Sequence, residues 1–107
     1  MKTMKFRGFK ADWIMDGTKM SSMRLFDDKN LQTGDDVEFV NWDTGEVFAH
    51  AYISSVTEKK LGELTEIDFE GHEKFESTDS MYANFRKYYG NTVGPHTFVK
   101  IVRFSVV

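Results

Sequence analysis

Short apolar runs separated by turn-forming residues dominate this chain, and their periods predict a mixture of strands and helices. From about Arg7 to Asp16 a helix is expected: the apolar run Ala11–Met15 stops at Asp16 and Gly17, and glycine commonly follows a helix because it tolerates the left-handed conformation. Met20–Phe26 reads as a strand, stopped by Asp27, Asp28, Lys29 and Asn30, and Thr33-Gly34-Asp35 marks a turn. Val37–Trp42 and Glu46–Glu58 read as strands joined by Asp43-Thr44-Gly45, a hairpin signal, and the second is long enough to bend or bulge. A helical stretch is expected from near Leu61, with Thr65 and Asp68 as a capping box and Gly71 as its stop. The clearest helix runs from a Ser77 cap to Gly90, with Met81, Tyr82, Phe85, Tyr88 and Tyr89 recurring along one face. Pro95 opens a final strand, Thr97–Val107, whose apolar residues on both faces mark it as central. Strands outnumber helices and long connections separate them, so the fold class is α+β: a small curved sheet or barrel flanked by helices.

Composition narrows the function classes. At 107 residues, residues 1–107 form one domain, and 40% apolar with 15% aromatic residues suffices for a packed core. No window is long and apolar enough to cross a bilayer, and Lys2, Lys5, Arg7 and Lys10 interrupt the first ten residues, so no membrane partner and a cytoplasmic location are expected. The absence of cysteine removes disulfides, thiolate catalysis and cysteine-based zinc sites. His50, His72 and His96 lie far apart and form no pair with ligand spacing, so no metal and no cofactor are expected. A net charge of −3 argues against a protein that binds duplex DNA, where lysine and arginine supply most of the affinity. The basic residues lean toward the first thirty positions and the acids toward Glu58–Asp79, a distribution suited to a small nucleoside or a short single strand.

The densest chemistry lies in Gly17-Thr18-Lys19-Met20-Ser21-Ser22-Met23-Arg24. On a strand Ser22 and Arg24 share a face, and Lys19, just after a glycine turn, can fold back toward them. A lysine whose pKa is lowered by burial can take a proton from a hydroxyl, and an arginine offers a planar fork to an oxygen. The same residues also fit a solvated loop lysine, a strand hydroxyl and an edge arginine. Among the acids, Glu66, Asp68, Glu70, Glu73 and Glu76 crowd one segment, and one of them could hold the lysine or serve a leaving amine. Trp13, Trp42, Tyr88 and Tyr89 are candidates to stack a base or simply to pack. No nucleophile elbow, phosphate-binding loop or dinucleotide fingerprint is present.

The pattern Gly17-x-Lys19-x-x-Ser22-x-Arg24, then Thr33-Gly34-Asp35, Leu64-Thr65-Glu66, a helix closing on Tyr88-Tyr89-Gly90 and a terminal strand around Ile101–Phe104, resembles the ASCH domain family over roughly Phe9–Phe104. The resemblance implies a PUA-like β-barrel with a cleft for RNA or a nucleoside. A compact bacterial branch of similar length hydrolyses the acetyl amide of N4-acetylcytidine to cytidine and acetate. There the motif lysine is the base, a hydroxyl three residues later the nucleophile, and a glutamate after the Leu-Thr-Glu segment the third member. Lys19 and Ser22 match the first two positions, although the branch carries threonine where this chain has Ser22. Glu73 is the best match for the third, with an offset different by one residue, and Glu70 remains open. The resemblance thus implies a metal-independent amidohydrolase with Lys19, Ser22 and Glu73 catalytic and Arg24, Glu70, Trp42 and Tyr89 contacting the substrate. The alternative is a non-catalytic RNA- or nucleotide-binding module.

Overall fold

A computed structural model describes residues 1–107. Five strands and two helices form it: β1 (Lys2–Phe6), α1 (Gly8–Met15), β2 (Ser21–Leu25), β3 (Asp36–Asn41), β4 (Val47–Lys60), α2 (Thr78–Tyr89) and β5 (Phe98–Val106). The strands make one sheet in the order β1-β3-β4-β5-β2, with β1 parallel to β3 and every other pair antiparallel. The sheet curls into a half-barrel. This is the expected α+β architecture, a curled sheet flanked by helices, open along one seam between the edge strands β1 and β2.

Most elements lie within one or two residues of their predicted bounds, and two differ. β1 was not anticipated, although Met4 and Phe6 are buried and alternate with exposed or half-buried neighbours. Its partner β3 is thirty-five residues away and parallel, a pairing that leaves no local mark such as a hairpin turn. The helix expected near Leu61 is instead two single 3-10 turns, Leu61–Glu63 and Glu66–Phe69. The Thr65/Asp68 box is there, with the Asp68 carboxylate accepting from the Thr65 N–H at 2.8 Å, but the same oxygen accepts from Lys59 on β4 at 3.0 Å. That tie to the sheet competes with helix propagation.

The 14-residue β4 spans the sheet, and its register shifts between Ile53 and Ser55, the bend its length suggested. β5 is central and sorts its side chains to two cores. Val102 and Phe104 pack inside the curl with Met4, Phe6, Ile14, Val37, Phe39 and Ile53, while Val99 and Ile101 meet Met81, Tyr82 and Phe85 of α2. α2 starts where Ser77 Oγ accepts from the Ser80 N–H at 3.0 Å, and its apolar stripe lies on the second core. The stripe ends with Tyr88 and Tyr89, which both line a cavity, Tyr88 being 44% exposed. Phe85 is 5% exposed, so Phe85→Ala is expected to cost on the order of 3 kcal/mol in chemical denaturation; a loss below about 1 kcal/mol would show that α2 does not rest on the sheet there.

Candidate functional site

The turn from α1 into β2 builds the site. Gly17 adopts φ +86°, and the Thr18 and Lys19 N–H groups both donate to the Trp13 carbonyl at 3.0 Å, which turns the Lys19 side chain inward. Its side chain is 4% exposed. The segment after the second 3-10 turn lies against the start of β2: the Gly71 carbonyl accepts from Met20 N–H at 2.7 Å and Ser21 N–H at 3.1 Å. Gly71 itself has φ +72°, and a Cβ there would sit 3.1 Å from Met20 Cβ, so glycine permits this close approach. The next two side chains, His72 and Glu73, are thereby delivered to Lys19.

Lys19 Nζ donates to Glu73 Oε2 at 2.8 Å, and Lys10 Nζ of α1 lies 3.5 Å from Glu73 Oε1. On β2, Arg24 Nε donates to Ser22 Oγ at 2.7 Å. Arg24 also reaches across the seam, donating from Nη2 to the Lys5 carbonyl at 3.0 Å and lying 4.6 Å from the Phe6 ring centre. No hydrogen bond joins Lys19 to Ser22, so the two motif residues share a cavity without forming a dyad. The cavity holds about 230 Å³ and is lined by Lys19, Ser22 and Arg24, by His72 and Glu73, by Lys5, Phe6, Arg7 and Lys10, by Trp42, and by Phe75, Asn84, Phe85, Tyr88 and Tyr89. Trp42 stands at its mouth, 56% exposed, with its backbone N–H donating to the Phe6 carbonyl and its ring 5.3 Å from Lys5 Nζ and 5.2 Å from the Arg7 guanidinium.

Of the residues singled out from sequence, Lys19, Ser22, Glu73, Arg24, Trp42, Tyr88 and Tyr89 line this cavity. Glu70 does not: its side chain is exposed, and its contribution is a backbone carbonyl 3.4 Å from Ser21 Oγ. Trp13 is outside as well, paired edge-on with Phe9 on α1. Sequence reasoning missed His72, Lys10, Lys5 and Arg7. His72 had one available signal, its place beside Glu73 after a turn glycine. The other three reach the site only because β1 and α1 fold over it. No three His, Asp or Glu side chains cluster so as to hold a metal ion, and no helix is long and apolar enough to cross a membrane.

Electrostatics sets the protonation states. Burial lowers Lys19 from its ordinary value to about 8, against the opposing pull of Glu73. Burial, aided by the Lys19 charge, lowers His72 to about 4. For Glu73 burial favours the neutral acid, but His72, charged in that acid range, together with Lys19 outweighs it and holds the carboxyl at about 2. Near neutrality the site therefore contains a carboxylate, a neutral imidazole and a lysine close to its titration. Five cationic side chains face one carboxylate, a basic pocket in an acidic chain.

These shifts predict the acid limb of stability. His72 has a depressed folded pKa, so below its ordinary 6.5 the unfolded chain takes a proton that the folded one refuses until about 4, and stability falls across that window. Glu73 acts in the same direction lower down, its stabilisation present above 4.5 and lost as pH falls toward 2. Urea denaturation is expected to show a loss on the order of 3 kcal/mol between pH 6.5 and 4. His72→Gln should flatten that window and also narrow the lower one, because the protonated imidazole is part of what holds Glu73 down. An unchanged slope in the variant would mean that His72 is not held neutral by the fold.

No family model matches the sequence, and no curated protein is similar to it. Similarity appears in solved structures. The ASCH domain from Lactobacillus crispatus superposes with a TM-score of 0.68 at 21% identity, over 90% of this chain and 69% of that one. ZmASCH from Zymomonas mobilis gives 0.70 at 12% identity, over 96% and 66%. A protein of the DUF984 family from Enterococcus faecalis gives 0.73 at 11% identity, over 90% and 68%. This chain thus spans about two thirds of the length of each. With its curled five-strand sheet and two helices, the chain has the fold of the ASCH domain.

Proposed function

We propose that this chain is a cytoplasmic, metal-independent amidohydrolase that releases acetate from an N4-acetylated cytosine nucleoside. The observation that carries the reading is the convergence of the Lys19 amine, the Ser22 hydroxyl and the Glu73 carboxylate on one small cavity with aromatic walls. The cavity suits one base-sized ligand, with Trp42 and Tyr89 available to stack on it.

Each residue has a role consistent with its environment. With a pKa near 8, roughly a tenth of Lys19 is neutral at pH 7, enough to accept the Ser22 proton. Because its stem is flexible and its present partner is Glu73, the amine must swing toward Ser22, a tightening that general bases commonly make with substrate in place. The Ser22 oxygen attacks the acetyl carbonyl, Arg24 stabilises the oxyanion, and Lys19 passes its proton to N4 as the C–N bond breaks. Water then hydrolyses the acetyl-serine ester, giving acetate and restoring the hydroxyl. Glu73, ionised down to about pH 2, donates no proton at neutral pH. It holds Lys19 and keeps its pKa from falling further.

A second reading has its own observation. Arg24 already occupies Ser22 Oγ, as expected if the hydroxyl only positions the guanidinium in a non-catalytic module for a nucleoside or short single-stranded RNA. In that case the five cations serve phosphates.

Purified protein is expected to convert N4-acetylcytidine to cytidine and acetate in the presence of a metal chelator, with kcat/KM rising through about pH 8. Lys19→Ala and Ser22→Ala should each reduce turnover at least ~100-fold, and Ser22→Thr should retain activity. Glu73→Gln should slow the reaction and move the pH limb to lower pH, because the carboxylate raises the lysine pKa. If neither the parent protein nor Ser22→Thr releases acetate while both bind short RNA, the binding module replaces the enzyme.

A further inference from the structure

We infer that His72 is the specificity-determining residue of the cavity, its Nε2 accepting a hydrogen bond from the N4–H of a cytosine-type base; this rests on the nucleoside reading above. His72 Nδ1 lies 2.8 Å from the Glu73 backbone carbonyl oxygen, which can only accept, so Nδ1 carries the proton and Nε2 the lone pair. The ring is fixed between Phe69 and Phe75, at centroid distances of 6.2 and 6.5 Å, and the side chain is 6% exposed. Nε2 meets no protein group, yet it is not sealed away, and His72 is part of the cavity wall.

The rest of the wall does not supply such a group. The cations only donate. The two Glu73 oxygens face Lys19 and Lys10, and Ser22 Oγ accepts from Arg24. Asn84 and the tyrosine hydroxyls carry donors and acceptors alike and can turn to suit either. A neutral imidazole of fixed tautomer cannot. Burial above all, and then the nearby Lys19 and Lys10 charges, oppose its protonation against the pull of Glu73, so it stays an acceptor. Cytosine and uracil have the same outline but differ here: cytosine offers an N–H where uracil offers a carbonyl oxygen. Against Nε2 the uracil oxygen would set lone pair against lone pair and leave a largely buried acceptor unpaired, and sites of that kind discriminate strongly.

Calorimetric titration with cytidine and with uridine tests the assignment without depending on turnover. Cytidine is expected to bind on the order of tenfold more tightly than uridine, and the ratio should fall toward one in His72→Phe and in His72→Gln, the latter retaining a donor for the Glu73 carbonyl. In protein labelled with 15N-histidine, cytidine but not uridine should shift the His72 Nε2 resonance in the direction of an accepted hydrogen bond, a readout that stands even if a variant fails to fold. Equal affinities with no Nε2 shift, alongside intact hydrolysis of N4-acetylcytidine, would overturn the role of His72 and leave the amidohydrolase reading standing. Failure of both nucleosides to bind, with no hydrolysis, would overturn that reading and the role of His72 with it.

Discussion

The ion pair between Lys19 and Glu73 lies where two segments far apart in sequence meet, and the chemistry of the site depends on it. It joins the turn between α1 and β2 to a segment 54 residues later, and it is needed because the turn buries the lysine almost completely. A lone buried ammonium would either lose its proton or cost several kcal/mol. Glu73 offsets part of that penalty, while Lys10, a second cation on the same carboxylate, adds to it. Buried pairs of this kind are weak contributors to stability. Their more informative consequence here is a lysine poised near 8 beside a carboxylate that stays charged.

The place of the site follows from how the sheet ends. A half-barrel has two edge strands whose unpaired backbone groups must be managed, and here side chains bridge the seam. Arg24 donates across it to the Lys5 carbonyl, and Lys29 from the β2–β3 connection donates to the Thr3 carbonyl at 2.7 Å. The Arg24 guanidinium that joins the edges also orients Ser22 and faces the cavity. Fold closure and site chemistry therefore share one side chain, and removing Arg24 would disturb both. Aromatic walls from α2 and Trp42 at the mouth enclose the remaining sides.

Protonation states in the cavity are spread by environment. Lys19, His72 and Glu73 lie within one cluster, yet burial and mutual charge drive the imidazole to its neutral form and keep the carboxylate ionised far into acid. The lysine alone titrates near working pH. Such separation is how neighbouring titratable groups acquire distinct roles.

Much of the fold was legible locally. Gly17, the Asp43-Thr44-Gly45 turn, the Ser77 cap and the two-faced apolar pattern of the last strand each act through neighbours in sequence, and each element they predict forms within a residue or two of its expected bounds. β1 was not legible, because its parallel pairing with β3 carries no local signal, and the acidic stretch breaks into single turns because Asp68 bonds to Lys59 on β4. For the site, the sequence by itself determined the spacing of Lys19, Ser22 and Arg24, hence a shared strand face for the latter two and a lysine at a glycine turn. Only the tertiary structure decided that Glu73 rather than Glu70 meets Lys19, that Arg24 and not Lys19 holds Ser22, and that His72, Lys10 and Trp42 join them. The reason is physical: backbone geometry and turn chemistry act over a few residues, whereas burial and ion pairing depend on which distant segments the curled sheet brings within 3 to 4 Å.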